Sequence, residues 1–256
     1  ASGETLFPFM SLPIRLVLGL DSGSYTGSVN VYDRIPNRRM TPTITQLPIR
    51  TGLWRGLGLL ANTFASECFM DELAHQASID PLAFRLNHLG DSDLNQRMAH
   101  VLQEVADLSD WFNPPPPGRA RGIAICADTG TCMAVVAEVS RDEQGVRVHK
   151  LYAAVDAGLI INPDGAIAQV EGCMMMGASA TLHEEIIVEN GQVTQSNLDK
   201  YKLLRIGRAP QIAVKLIDSP DDPHGLGEYV IGPVAAAIGN ATFALTGNRQ
   251  RKLPLT

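Results

Sequence analysis

"RGIAICADTGTCMAVVAEVSRDEQGVRVHKLYAAVDA", residues 121–157, decides the fold of this chain. Three runs within it, "RGIAICA", "MAVVAEVSRD" and "VRVHKLYAAVDA", are rich in β-branched residues and have a period of two. Successive side chains on a strand point to opposite faces, so that period predicts strands, and "DEQG" predicts the hairpin turn between the last two. Further on, a helix is expected over roughly Asp164–His183, opening after Pro163. "EEIIVEN" and "QVTQSN" read as a second hairpin about an Asn-Gly turn. "QIAVKLID" reads as another strand, and a last helix runs from about Pro233 to Leu245.

Upstream the period changes. Phe64, Cys68, Met70, Leu73 and Ala77 recur at helical steps from Leu59 onward, which predicts one buried face. Asp80 is a natural N-cap, Pro81 suits the first helical position, and Leu82, Leu86 and Leu89 line one side. A third helix is expected over about Leu94–Leu108. Four consecutive prolines in "WFNPPPPGRAR" predict a stiff spacer. The expected organisation is an irregular segment over 1–50, a helical segment over 51–113, a proline-rich linker over 114–120 and a strand-and-helix unit over 121–256. The fold class is α+β.

The totals narrow the function. With 256 residues the chain can build a substantial core, and 45% apolar with 19% charged residues is ordinary for a globular protein. A net charge of −6 and no long basic run argue against nucleic acid as a partner. Cys68, Cys126, Cys132 and Cys173 stand far apart without a CxxC pair, so neither a disulfide framework nor a zinc site is implied. The apolar stretch "LFPFMSLPIRLVLGL" is interrupted by Pro8, Pro13 and Arg15, too broken for a membrane span. The compartment, cytoplasmic or periplasmic, is open.

Several motifs carry chemistry. "GLGLLA", residues 56–61, satisfies a dinucleotide fingerprint but is preceded by "PIRTGLWR", where arginines stand in place of an apolar strand. Read instead as "LWRGLG", it offers an arginine and close backbone approach to a polar ligand, or a plain surface loop. Gln169 and Glu171 are polar positions in an otherwise apolar helix that also holds Gly172 and Gly177. Glu228 ends the glycine turn "GLGE" just before the last helix. A helix N-terminus favours a carboxylate, so Glu228 reads either as a helix-start acid or as a base held out for chemistry. No metal-protease helix, serine elbow or metal-ligand histidine spacing is present.

Taken in order, four stretches resemble the molybdenum hydroxylases of the xanthine oxidase and aldehyde oxidase superfamily, isoquinoline 1-oxidoreductase β-subunit type. They are "LPIRTGLWRGLGLLANTFASECFMDELAHQASIDPLAFRLNHL", "VDAGLIINPDGAIAQVEGCMMMG", "SNLDKYKLLRIGRAPQIAV" and "GLGEYVIGPVAAAIGNATFALTGNRQRKLPL". The resemblance covers roughly residues 31–256. It implies hydroxylation of an aldehyde or N-heterocycle with water-derived oxygen. It also implies a molybdopterin cytosine dinucleotide cofactor with molybdenum, and [2Fe-2S] clusters on an iron–sulfur small subunit. Glu228 matches the family's base at the end of the G-x-G-E turn, with Gly227 before it. Trp54, Arg55 and Gly56 match the loop lining the cofactor or substrate, and Gln169 a position touching the pterin. The family's proline after the glutamate is Tyr229 here, which implies a less rigid turn. Relatives of this kind are much longer, which implies the C-terminal portion of a large subunit working with a missing N-terminal portion. A non-catalytic binding or assembly module, and a nicotinamide or flavin enzyme, are the competing readings.

Overall fold

A computed structural model describes residues 31–39 and 52–255. The expectations for "LFPFMSLPIRLVLGL" and most of the irregular segment 1–50 lie outside the described residues. In chain order the elements are helices α1 (Leu59–Gln76), α2 (Pro81–His88) and α3 (Asp93–Ser109), then strands β1 (Ala120–Asp128), β2 (Thr131–Asp142) and β3 (Gly145–Asp156). Helix α4 (Pro163–Leu182), the short strands β4 (Val188–Glu189) and β5 (Gln192–Val193), strand β6 (Gln211–Ile217) and helix α5 (Ile231–Thr246) complete it.

β1, β2 and β3 form an antiparallel meander, and β6 adds to β3 in parallel, giving the order β1-β2-β3-β6. Parallel neighbours need a crossover, and the chain supplies it through α4. The sheet is apolar on both faces. Met133, Val135, Ala137 and Val139 face one core with α4 and α5, while Cys132, Ala134 and Val136 face a second with α2 and α3. That double burial is why β2 reads as a nearly unbroken apolar run. All four cysteines are free and buried in these cores.

Helix starts follow local chemistry. Asp80 caps α2 by accepting from the N–H groups of Leu82 and Ala83, and Asn162 caps α4 by accepting from Gly165. The buried face of α1 departs from expectation. Phe64, Cys68 and Met70 are buried, but Ala77 is an exposed C-cap, and the acids Glu67 and Asp71 take the inner face.

Those acids have a structural reason. β1 is an edge strand, and an edge needs partners for its free backbone groups. Glu67 Oε2 accepts from the Ile125 N–H at 3.0 Å, and the Asn240 amide donates to the Ile123 carbonyl at 3.1 Å. Arg85, wholly buried, donates to Glu67 Oε2 at 2.8 Å, and the Tyr32 hydroxyl donates to Glu67 Oε1 at 2.8 Å. The segment after α3 is stapled to the sheet as well. Arg121 donates to the Asp110 and Asn113 carbonyls and pairs with Glu138, which also holds Arg119. Helices before the proline run thus pack on the sheet after it.

Candidate functional site

Three stretches far apart in sequence meet at the N-terminal end of α5. The first is the loop entering α1. Gly56 has φ +82°, a side chain there would collide with Ile231, and the Leu57 N–H closes a turn on the Trp54 carbonyl at 2.9 Å. This open backbone lets the Gly56 N–H reach the Glu228 carboxylate, Oε2, at 3.0 Å. Asp80 caps α2 rather than ending a second strand, and the sheet is mostly antiparallel. The loop is therefore not a dinucleotide turn in a doubly wound sheet.

Arg55 ties the parts together. Its Nε donates to the Gly227 carbonyl at 2.6 Å, and one terminal nitrogen donates to both the backbone carbonyl of Gln169, at 3.1 Å, and its side-chain Oε1, at 2.9 Å. The other lies 3.4 Å from Met176 Sδ. A planar fork can serve an α1-entry loop, a helix and a glycine turn at once, where a lysine could not. Gly172 leaves room for the guanidinium on α4.

The turn itself is braced twice. The Tyr229 ring packs on Gly225, so close that a side chain there would meet the ring at 2.5 Å, and the Cys173 thiol points to the Gly227 carbonyl at 3.6 Å. Tyr229 thus restrains the turn by ring packing. Burial pushes the Cys173 thiol up, so it stays protonated and acts as a weak donor.

Beside this turn opens a cleft of about 310 Å³, lined among others by Asn162, Gln169, His224, Leu226 and Gly227. Arg55 uses the Gln169 Oε1, so the group Gln169 can still offer the cleft is its amide N–H₂. Of the residues expected from sequence, Arg55, Gly56, Gln169, Gly227 and Glu228 come together directly. Trp54, 40% exposed, touches the assembly through its backbone carbonyl. Glu171 is exposed on α4. Sequence reasoning did not single out Met176, Cys173 or Asp128 as part of this site.

Among the described residues no cluster of histidine, cysteine and carboxylate side chains could hold a metal ion by itself, and no helix is long and apolar enough to cross a membrane. The cleft lining fits a cofactor held mainly by hydrogen bonds: the side chains of Asn162, Gln169 and His224 and the backbone of Gly165 and Gly227.

Residues 110–210 match a family model described as molybdopterin cofactor-binding domain. The chain is 33% identical over 240 residues to isoquinoline 1-oxidoreductase subunit beta of Brevundimonas diminuta, covering 92% of this chain and 30% of that protein. It is 32% identical over 237 residues, 85% of this chain, to a Gluconacetobacter polyoxogenes protein named membrane-bound aldehyde dehydrogenase [pyrroloquinoline-quinone], again spanning 30% of the relative. The chain therefore spans about a third of the length of these curated relatives. Among solved structures, quinoline 2-oxidoreductase from Pseudomonas putida 86 superposes with a TM-score of 0.64 at 12% identity, covering 77% of this chain and 50% of that one, a likeness of fold. The domain match, the kinship over nine-tenths of the sequence and the shared fold agree: the chain belongs to the molybdenum hydroxylases.

Proposed function

We propose that this chain provides the base-bearing wall of a molybdenum hydroxylase active site that oxidises an aldehyde or N-heterocycle with oxygen drawn from water. The observation that carries the proposal is the Glu228 carboxylate, seated on the Gly56 N–H directly after Gly227, which lines the cleft with Gln169. A molybdenum–pterin cofactor bound there would supply the two-electron oxidation and the water-derived oxygen. Its cytosine dinucleotide form, the [2Fe-2S] clusters on an iron–sulfur small subunit and the remaining cofactor contacts from the rest of a larger subunit belong to the same proposal.

This chain's own residues have defined tasks. Glu228 Oε2 is occupied by the Gly56 N–H, while no other side chain among the described residues bonds its carboxylate. One carboxylate oxygen is thereby fixed, and the other is left to accept a proton from water at the reacting centre. Arg55 keeps the glycine turn and α4 in register, so the distance from Glu228 to the cleft does not drift. Gln169 offers its amide N–H₂ to a cofactor acceptor, and the exposed Trp54, next to Arg55 in sequence, offers an aromatic face to a flat substrate.

The test is Glu228→Gln in the native assembly. Turnover is expected to fall about 10²- to 10⁴-fold, the range of a lost general base, with molybdenum content unchanged. Turnover within a few-fold of wild type would remove Glu228 from the chemistry.

A further inference from the structure

β1 ends at Asp128 and β2 begins at Thr131, so Thr129 and Gly130 alone make the turn between them. Both have positive φ, 44° and 87°, as a two-residue hairpin turn of matching twist requires. Threonine is β-branched and strained in that region, which asparagine, aspartate or glycine fills more easily. The turn is pressed against the loop that carries Glu228. Thr131 Oγ1 donates to the Gly225 carbonyl at 2.7 Å, and the His224 ring lies so close over Gly130 that no side chain would fit.

These contacts hold the β1–β2 turn, which Asp128 opens, against the loop that leads to Glu228. The Asp128 Oδ2 is shut off from solvent and has no hydrogen-bond partner among the described residues. Arg55, the cation of this corner, gives its N–H groups to Gly227, Gln169 and Met176 instead. A carboxylate with one oxygen dry and unpaired is costly, and a second negative charge nearby adds to the cost. Both effects fall on Asp128: burial pushes its carboxyl up, the Thr129 N–H pulls the other way, and the Glu228 charge pushes it up again. The His224 ring over Gly130 is a further titratable group at this turn, and no cation figures among the influences on the Asp128 carboxyl. Burial pushes the Cys126 thiol on β1 up to about 12 and raises Cys173 on α4, so both are neutral.

We propose that Asp128 is a positioning residue for Glu228: the two acids form a pair carrying one negative charge, with the proton on Asp128 and the charge on Glu228. The inference rests on the reading of Glu228 as the base. As an acid, Asp128 places no repelling charge behind the Glu228 carboxylate, which keeps its seat on the Gly56 N–H. As an anion, it would drive that carboxylate off the seat.

The test uses the native assembly and two readouts. Infrared difference spectra across pH, with ¹³C-labelled aspartate, follow the carboxylic-acid band that disappears in Asp128→Asn. That band is expected to persist above the usual aspartate range, about pH 4, and to titrate at lower pH in Glu228→Gln. A band that titrates in the usual range and ignores Glu228→Gln overturns the pairing. This readout involves no turnover, so it stands or falls separately from the role of Glu228 as base. In the second readout, Asp128→Ala is expected to lower kcat about tenfold with KM little changed, and the neutral isostere Asp128→Asn to recover most of that loss. Equal losses in both variants, or no loss in the alanine variant, overturn the proposal. Should the alanine variant fail to fold, the infrared band still decides.

Discussion

Two glutamates of this chain live opposite lives. Glu67, in the middle of α1, is saturated: its carboxylate accepts from Arg85, from Tyr32 and from the backbone N–H of Ile125. Glu228, at the entry to α5, has among the described residues a single donor, the Gly56 N–H, and follows Gly227 at the wall of a cleft. A carboxylate whose lone pairs are all spoken for is structural, because any proton it took would cost it bonds already made. One anchored by a single donor keeps its orientation and still has capacity to react. The same side chain is thus a clamp for a sheet edge in one place and a candidate base in the other, and the difference lies in the number of donors.

The sharpest way to break this contrast is to make the same change at both positions. Glu67→Gln removes the close anionic partner of the buried Arg85, with Asp71 left 4.0 Å away, and is expected to cost about 3 to 5 kcal/mol of stability, read by urea unfolding. Glu228→Gln is expected to shift the same curve by no more than about 0.5 kcal/mol. Comparable losses at both would erase the distinction. Next in size, Arg55→Lys is expected to weaken cofactor retention about 10- to 100-fold, the usual range for residues that orient a site from behind. Cofactor per chain after gel filtration would reveal it, and unchanged retention would mean that the fork geometry is dispensable.

Arg97→Met tests an ion pair behind the Ala157 wall of the cleft. Arg97 donates to both Asp156 oxygens at 2.7 and 2.8 Å, and the Gly158 N–H adds a third bond to that carboxylate. Losing the charged hydrogen bonds is expected to cost about 2 kcal/mol. Burial works against the Asp156 charge, yet the Arg97 guanidinium overcomes it and holds the carboxyl below its ordinary value. The contribution is therefore fully present above the ordinary aspartate range and lost as pH falls through the lowered value. Wild type and Arg97→Met should converge in melting temperature only in acid. A gap that does not close there would show that packing, not charge, separates them.

Much of the architecture was legible because it is local. The helix of α2 announces itself through Asp80 and Pro81, and the meander through its period of two. What was not legible is non-local: the parallel pairing of β6 with β3, and the edge of β1 that turns Glu67 inward on a helix expected to bury only apolar residues. The site followed the same division. Family resemblance pointed to Arg55, Gln169 and Glu228 one by one, and no spacing rule could say that a single guanidinium joins the first two to Gly227. Asp128 gave no sign at all, since an acid before a Thr-Gly turn is common and the burial of its oxygen arises only in the folded chain.

The most direct measurement is molybdenum per chain, by elemental mass spectrometry on the protein from its native source with any partner chains retained. The account predicts near-stoichiometric molybdenum with partner chains co-purifying. A well-folded protein that carries no molybdenum would contradict it, and would leave the Glu228 turn without the centre it is built to serve.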